Sequence, residues 1–420
     1  MPIQEDKNSS SLSSYVVTKL LNALMNHFLS LLLYFLILSV GVMVGIIVHS
    51  SLQALYSPSS LTIQNVSQLF IVTSPPPHPS PSPPPPPPPC PSPPSPPPPP
   101  CLSPSPPPPC PSLSSKENGL EMFPRPSKNI THNMEDKELL WRASMVPKIR
   151  SYPFPRTPKV AFMFLSKGPL PLAPLWEMFF RGHEDLFNIY VHINPSYKEY
   201  IPQGSVFHGR RIPSKTVYWG NANMVEAELR LLANALLDIN NERFVLLSES
   251  CIPLFNFTII YSYLINSTQT HVESYDLPVG RHRYNSRMYP HIHLDQFRKG
   301  SQWFELDRAM ALEVVSDTFY WPIFNAYCFV PDEHYIQTLL NVIRPSLGSR
   351  NSNRTLTYAD WSKNGAHPRS FGESEVNVEF LEELRSKSCG DSELCFLFGR
   401  KFLPTALDNL LIFSSTVMHF

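Results

Sequence analysis

The feature that most limits what this chain can fold into is its proline: 26 of 48 prolines fall between Pro75 and Pro111, a stretch of 37 residues. Proline has no N–H to give to a helix or a sheet ladder, so such a stretch cannot build a hydrogen-bonded core. One uniform globular fold over all 420 residues is therefore excluded. Charge sharpens the division. Leu20 to Ser115 holds no Asp, Glu, Lys or Arg, and 64 of the 68 such residues lie in the last 305. Those residues suffice for a domain with a sizeable core. Lys+Arg 34 balances Asp+Glu 34, which leaves no overall basic footprint for nucleic acid.

Before the proline run, residues 28–48 form an uncharged apolar segment of 21 residues, enough helix to cross about 30 Å of hydrocarbon. It exceeds the apolar core of a signal peptide and no small-residue cleavage site follows, so it reads as a single transmembrane signal-anchor. Lys7 and Lys19 place residues 1–27 in the cytosol, despite Glu5 and Asp6. The rest is then luminal, in keeping with five glycosylation sequons at Asn65, Asn129, Asn256, Asn266 and Asn353. Residues 49–115 read as a low-complexity stalk. Its Ser82, Ser95 and Ser105 precede seven, five and four prolines, a polyproline II spacer extended at about 3.1 Å per residue. These runs resemble the glycosylated, hydroxyproline-rich segments of plant extensins. A linker or stem is expected over 116–157 and a folded domain over 158–420.

Three of the seven cysteines, Cys90, Cys101 and Cys110, sit in the stalk, and Cys251, Cys328, Cys389 and Cys395 in the domain. An oxidising compartment permits disulfides. Cys389 and Cys395 are spaced to close a small loop, and the odd stalk count allows a bridge to a second copy of the chain, a disulfide-linked homodimer. None has zinc-finger spacing, and no metal site is expected.

Within the domain, Lys159 to Leu165 is a β-branched and aromatic run and Pro174 to Phe180 a helix with proline in its first turn. Phe187 to Ile193 is the next strand. Val225, Leu229, Leu232, Leu236 and Ile239 repeat at helical spacing behind the candidate caps Asn221 and Asn223, and Arg243 to Leu247 returns as a strand. The alternation implies an α/β fold with a mostly parallel sheet. Ligands of such sheets bind beyond the carboxyl ends of the strands, which selects Ser166-Lys-Gly, His192-Ile-Asn and Ser248-Glu-Ser.

Six segments in order carry a resemblance: Phe-Leu-Ser-Lys-Gly-Pro-Leu-Pro-Leu (164–172), Tyr-Val-His-Ile (190–193), Val-Tyr-Trp-Gly (217–220), Leu-Leu-Ser-Glu-Ser-Cys-Ile-Pro-Leu (246–254), Gly-Ser-Gln-Trp-Phe (300–304) and Pro-Asp-Glu-His-Tyr (331–335). Together they resemble the plant branch of the core-2/I-branching β-1,6-N-acetylglucosaminyltransferase family. The resemblance implies a GT-A-like, Rossmann-type glycosyltransferase domain in a type II Golgi membrane protein. It also implies an inverting reaction without a divalent metal, a UDP-sugar donor, and a glycoprotein or cell-wall glycan acceptor. N-acetylglucosamine is the sugar it suggests. In the family the Glu of the Pro-Asp-Glu motif, here Glu333, is the catalytic base. Two basic residues near the C-terminus hold the diphosphate, matching Arg369 and Lys401. Where the family carries an Asp after the second strand this chain has Asn194, which keeps a hydrogen-bond acceptor and loses the charge.

The residue types suit that chemistry. Glycosyl transfer needs a base for the acceptor proton and positive charge for the departing diphosphate. Glu333 follows a strand-like Ala326 to Val330 and opens an expected helix from Asp332 to Val342, where the N-terminal dipole would favour the carboxylate; the plainer reading is an acid that only complements the dipole. No Asp-x-Asp occurs; the nearest sequence, Glu305-Leu-Asp307, reads as the N-cap of a helix over 308–315. Arg400 rivals Lys401. His192, Asn194, Ser248 and Glu249 are candidate donor or acceptor contacts, against turn chemistry before Pro253. The basic loop Arg281 to Arg287 reads as solvated, with an anionic acceptor as the alternative. The alternative function is a catalytically inactive glycan- or nucleotide-sugar-binding membrane protein of the same fold.

Overall fold

The structure, a computed structural model, describes Tyr34 and residues 130–149, 151–342, 348–363, 365–389 and 394–420. The span expected over 28–48, apart from Tyr34, lies outside these residues, as do the stalk with its three cysteines, Asn65 and Asn129. Among the described residues no helix is long and apolar enough to cross a membrane.

The apolar runs become the central strands. β1 (Lys159–Ser166) lies between β2 (Phe187–Ile193) and β3 (Asn241–Ser248), parallel to both, with Phe162 beside Ile189 and Val245. β5 (Glu305–Asp307) adds an antiparallel edge on β3. Every β1 side chain is buried because helices cover both faces, so the strand reads as a continuous apolar run. Ala161, Met163 and Leu165 pack on one face with α3 (Asn223–Leu236), and Val160, Phe162 and Phe164 on the other with α2 (Ala173–Phe180) and α4 (Phe257–Asn266). There Phe162 meets Phe180 edge-on at 5.0 Å and Phe164 meets Trp176 at 5.1 Å. A second sheet, in the order β4 (Ile252–Pro253), β7 (Phe398–Arg400), β6 (Thr357–Ala359), brings the C-terminal cations alongside the first.

Several expectations need correction. The domain begins before 158: α1 (Asp136–Ser144) buries Leu139 and Ala143, and Asp136 grips the buried Arg230 of α3 through two hydrogen bonds of 2.8 and 2.9 Å. Burial raises the Asp136 carboxyl, but Arg230 and Lys215 outweigh it and hold the pKa at about 2. Neither Asn221 nor Asn223 caps α3. The N-cap is Ala222, and Asn223 instead accepts the backbone N–H of Tyr218. Ala326 to Val330 is no strand, since α6 (Tyr320–Tyr327) takes its first residues and buries Phe324 in the core. The expected helix from Asp332 is a 3-10 turn over Pro331–Glu333 followed by α7 (Tyr335–Val342). Asp307 does cap the helix after it, α5 (Arg308–Ser316), accepting from Met310 N at 2.8 Å. Cys389 and Cys395 form a disulfide, whereas Cys251 and Cys328 are free thiols.

Candidate active site

The carboxyl ends of β1, β2 and β3 open into a cavity of about 760 Å³. Ser166, His192, Asn194, Ser248 and Glu249 line it from the first sheet, and Thr357, Ala359, Arg400 and Lys401 from the second. Glu333 enters through the 3-10 turn before α7. Thus the sequence-selected Glu333, Lys401, His192, Asn194, Ser248 and Glu249 meet at one place. Arg369 does not reach the lining. Its guanidinium lies 5.5 Å from the Phe371 ring centre and 3.9 Å from an Asp360 oxygen, while His367 and Pro368 beside it face the cavity.

Glu333 is fixed by groups that sequence reading left aside. Arg283 donates to its Oε2 at 2.5 Å and Lys299 Nζ stands 3.0 Å from the same atom. Among the described residues Oε1 has no hydrogen-bond partner. Burial pushes the carboxyl up, but Lys299 and Arg283 outweigh it and hold the pKa below its ordinary value. These two cations, rather than a helix terminus, keep Glu333 ionised. Arg283 comes from the loop expected to be merely solvated. Lys299 stands one residue before the Gly-Ser-Gln-Trp-Phe motif. There Gly300 donates to the Glu333 carbonyl at 3.0 Å, and a Cβ on it would lie 1.7 Å from the Glu273 carbonyl oxygen. Only glycine lets these two strands of chain pass so closely. Glu273, also in the lining, accepts the Ser301 N–H at 2.9 Å and is raised by burial.

Below Glu333 the site is acidic and closed. Asp332 is buried, its Oδ1 has no hydrogen-bond partner among the described residues, and burial, then the charge of Glu333, pushes it up to about 7. Glu228 on α3 is fully enclosed, accepts from Gln302 at 2.7 Å, and is pushed well above the carboxylate range by burial and by Asp332.

The lining contributed by the second sheet is cationic. The Arg400 guanidinium stacks 4.0 Å from the Trp303 ring centre, and its Nε is buried without a hydrogen-bond partner among the described residues. Among the described residues neither Arg400 nor Lys401 has a carboxylate within ion-pair distance.

The remaining candidates are tied into local structure. His192 is almost fully buried and its pKa is depressed to about 3, chiefly by burial and then by Arg230, so the ring is neutral; its Nε2 accepts from Lys215 N at 3.3 Å. Asn194 Oδ1 closes a turn on Ser196 N at 3.0 Å. The Ser248 hydroxyl meets Ser250 and Cys251, which is turn chemistry. Glu249 is half-buried in the lining with no hydrogen bond among the described residues. Of the described sequons, Asn266 and Asn353 are exposed, whereas Asn256 caps α4. Among the described residues no three His, Cys, Asp or Glu side chains gather to hold a metal ion.

Comparison with known proteins follows the same segments. The family model described as Core-2/I-Branching enzyme matches residues 160–385. A rice protein (Oryza sativa subsp. japonica) named glycosyltransferase BC10 is 34% identical over 305 residues, covering 60% of this chain and 75% of that one. Two solved structures of LgtC, an active-site mutant and a galactosyltransferase complex with donor and acceptor sugar analogs, share 9% identity. Each covers 57% of this chain and 86% of its own, with TM-scores of 0.29 and 0.30, a likeness that carries no argument.

Proposed function

The chain is a glycosyltransferase of the core-2/I-branching enzyme family, and from that premise we propose that it transfers a sugar from a UDP-sugar to a glycan acceptor by a single inverting displacement in which Glu333 is the base. The observation that carries this reading is one cavity lined both by an oriented carboxylate and by two cations that have no carboxylate partner among the described residues.

The acceptor hydroxyl approaches Glu333. Because Arg283 and Lys299 both occupy Oε2, Oε1 is the atom left to accept a proton. As the acceptor oxygen forms its bond to the anomeric carbon, the bond from that carbon to the diphosphate breaks. Its electron pair leaves on the diphosphate, and the acceptor proton passes to Glu333. Arg400 and Lys401 meet the charge that develops on the leaving group, Arg400 through planar donors and Lys401 as a point charge. Arg369 is an outer contributor, since Asp360 and Phe371 hold it outside the lining. In this reading fixed cations perform the electrostatic work that other glycosyltransferases assign to a metal, and N-acetylglucosamine is the sugar to try first. A luminal Golgi setting suits a base held ionised below its ordinary range.

The test is thermal unfolding of the detergent-solubilised full chain in EDTA with UDP, GDP and a panel of their sugars. A ligand at about a hundred times its Kd adds about 2.7 kcal/mol, a readily seen rise in Tm. The expected result is stabilisation by UDP and one UDP-sugar, followed by slow hydrolysis of that sugar. If no nucleotide stabilises a chain that still unfolds cooperatively, the transfer reading fails and a binding role replaces it.

A further inference from the structure

Large apolar side chains crowded together on a surface mark something that covers them. Beside the cavity Tyr218, Trp219, Phe329 and Trp361 are 61%, 58%, 62% and 54% exposed. Two chain segments hold three of them together: the N–H of Val330 donates to the carbonyl of Gly220 at 3.2 Å, which ties 218–220 to 327–330. Gly220 has φ +78°, and the Phe329 ring lies against it, 3.7 Å from where a Cβ would stand. Trp219 meets His367 edge-on at 5.4 Å. Trp219 and Trp361 line the cavity that holds Glu333. Gly220 and Phe329 line a second groove of about 580 Å³ together with Asn221, Asn285, Asn325 and Tyr327. Adjacent residues, Trp219 and Gly220, thus line the two depressions, and Phe329 stands four residues before the base.

We propose that this aromatic ridge and the groove behind it bind the acceptor as a neutral glycan chain, the reacting sugar lying in the cavity and the next sugars stacked across Trp219 and Phe329 into the groove. The proposal rests on the transfer reading and specifies its substrate class: an oligosaccharide or polysaccharide rather than a lone sugar or a bare peptide.

A pyranose ring presents an apolar C–H face and a rim of hydroxyls. Rigid aromatic faces cover the first at small entropic cost, and side-chain amides meet the second. The groove supplies both kinds of group. Among the described residues the exposed amides of Asn221 and Asn325 make no hydrogen bond, so their donors and acceptors are open to hydroxyls. Its charged lining residues, Glu226 and Arg287, are one of each sign, which matches an uncharged chain. The geometry is also directional. The segment that carries Phe329 continues through Val330 and Pro331 into the turn that holds Glu333, so a chain seated on the ridge would deliver its end to the base.

The test uses the solubilised full chain and ladders of linear neutral oligosaccharides, β-linked glucose, galactose and xylose of one to six units, with binding followed by calorimetry. The expected result is affinity that climbs about tenfold or more from one unit to four in at least one ladder. Phe329→Ala and Tyr327→Ala should erase that climb while hydrolysis of the UDP-sugar is unchanged, and Phe329→Trp should restore it. Affinity independent of length in every ladder, or a length dependence that survives Phe329→Ala, overturns the proposal. So does capture by phosphatidylcholine vesicles that Phe329→Ala abolishes, which would assign the ridge to a membrane surface. Loss of UDP-sugar hydrolysis in the unaltered chain is a separate failure, that of the transfer reading.

Discussion

On one wall of the cavity two cations converge on a single oxygen of Glu333, and two further acids lie buried below it; on the other, Arg400 and Lys401 stand with no carboxylate in reach among the described residues. On the first wall Arg283 and Lys299 offset the charge of Glu333. That wall holds a carboxylate in one orientation and one charge state, which is what a base needs before substrate arrives. The second wall keeps positive charge that no carboxylate among the described residues offsets, on two half-buried side chains that an anion could reach. In the proposed reaction the difference assigns one substrate to each wall: the acceptor to Glu333 and the diphosphate of the donor to the cations.

The comparison breaks most visibly at the base. Glu333→Gln should lower transfer by about two to four orders of magnitude while the Kd for UDP stays as it was, because only the proton acceptor is lost. Equal turnover in initial-rate assays of the two proteins would remove Glu333 from its role. On the other wall, Lys401→Ala should raise the Kd for UDP about ten- to a hundredfold, the loss of a charge-assisted contact, as read by calorimetry. Arg283→Ala sharpens the first wall. It removes one of the cations that depress the Glu333 carboxyl, so the acid limb of the pH–rate profile should move to higher pH; an unmoved limb would mean that Arg283 does not set the charge of the base.

Asp332 gives a prediction in stability. Its folded pKa of about 7 lies above the unfolded value, so its neutral form favours the fold fully at low pH and that benefit fades as pH rises through 7. Buried Glu228 is shifted in the same direction. Melting curves of the unaltered protein should show Tm falling between about pH 4 and 7, and Asp332→Asn should flatten that slope. The smallest effect is expected for Arg369→Ala. A partly exposed guanidinium near Asp360 is worth about 1 kcal/mol at most, so UDP binding should weaken less than about fivefold. A larger loss than that of Lys401→Ala would make Arg369, not Lys401, the principal cation for the diphosphate.

The difference between the walls also marks what the sequence alone makes legible. β1, β2 and β3 were legible because a strand buried on both faces must be apolar throughout, and their carboxyl ends then located the cavity. Asp307 was legible as a cap because capping is local, decided within three residues. Ala326 to Val330 misled, since a short aromatic run suits the end of a helix and an exposed surface loop as well as a strand. Arg283 and Lys299 were missed for a different reason. Arg283 stands fifty positions from Glu333 in the chain, and no local pattern reports a pair that only the tertiary fold brings together. The choice between Lys401 and Arg400 was likewise open in sequence, and both proved to line the same wall.

The helix α1 has a consequence for where the chain can be cut. Asp136 is the acid that holds the buried Arg230 most closely, with Glu226 a longer 3.4 Å partner, so the domain carries its own boundary marker upstream of the first strand. Proteolytic nicking before Asp136 would leave that lock intact. Removal of the chain up to Ser144 would leave Arg230 inside α3 with only the longer 3.4 Å contact to Glu226 among the described residues, and the remaining domain should unfold more easily than one cut before Asp136.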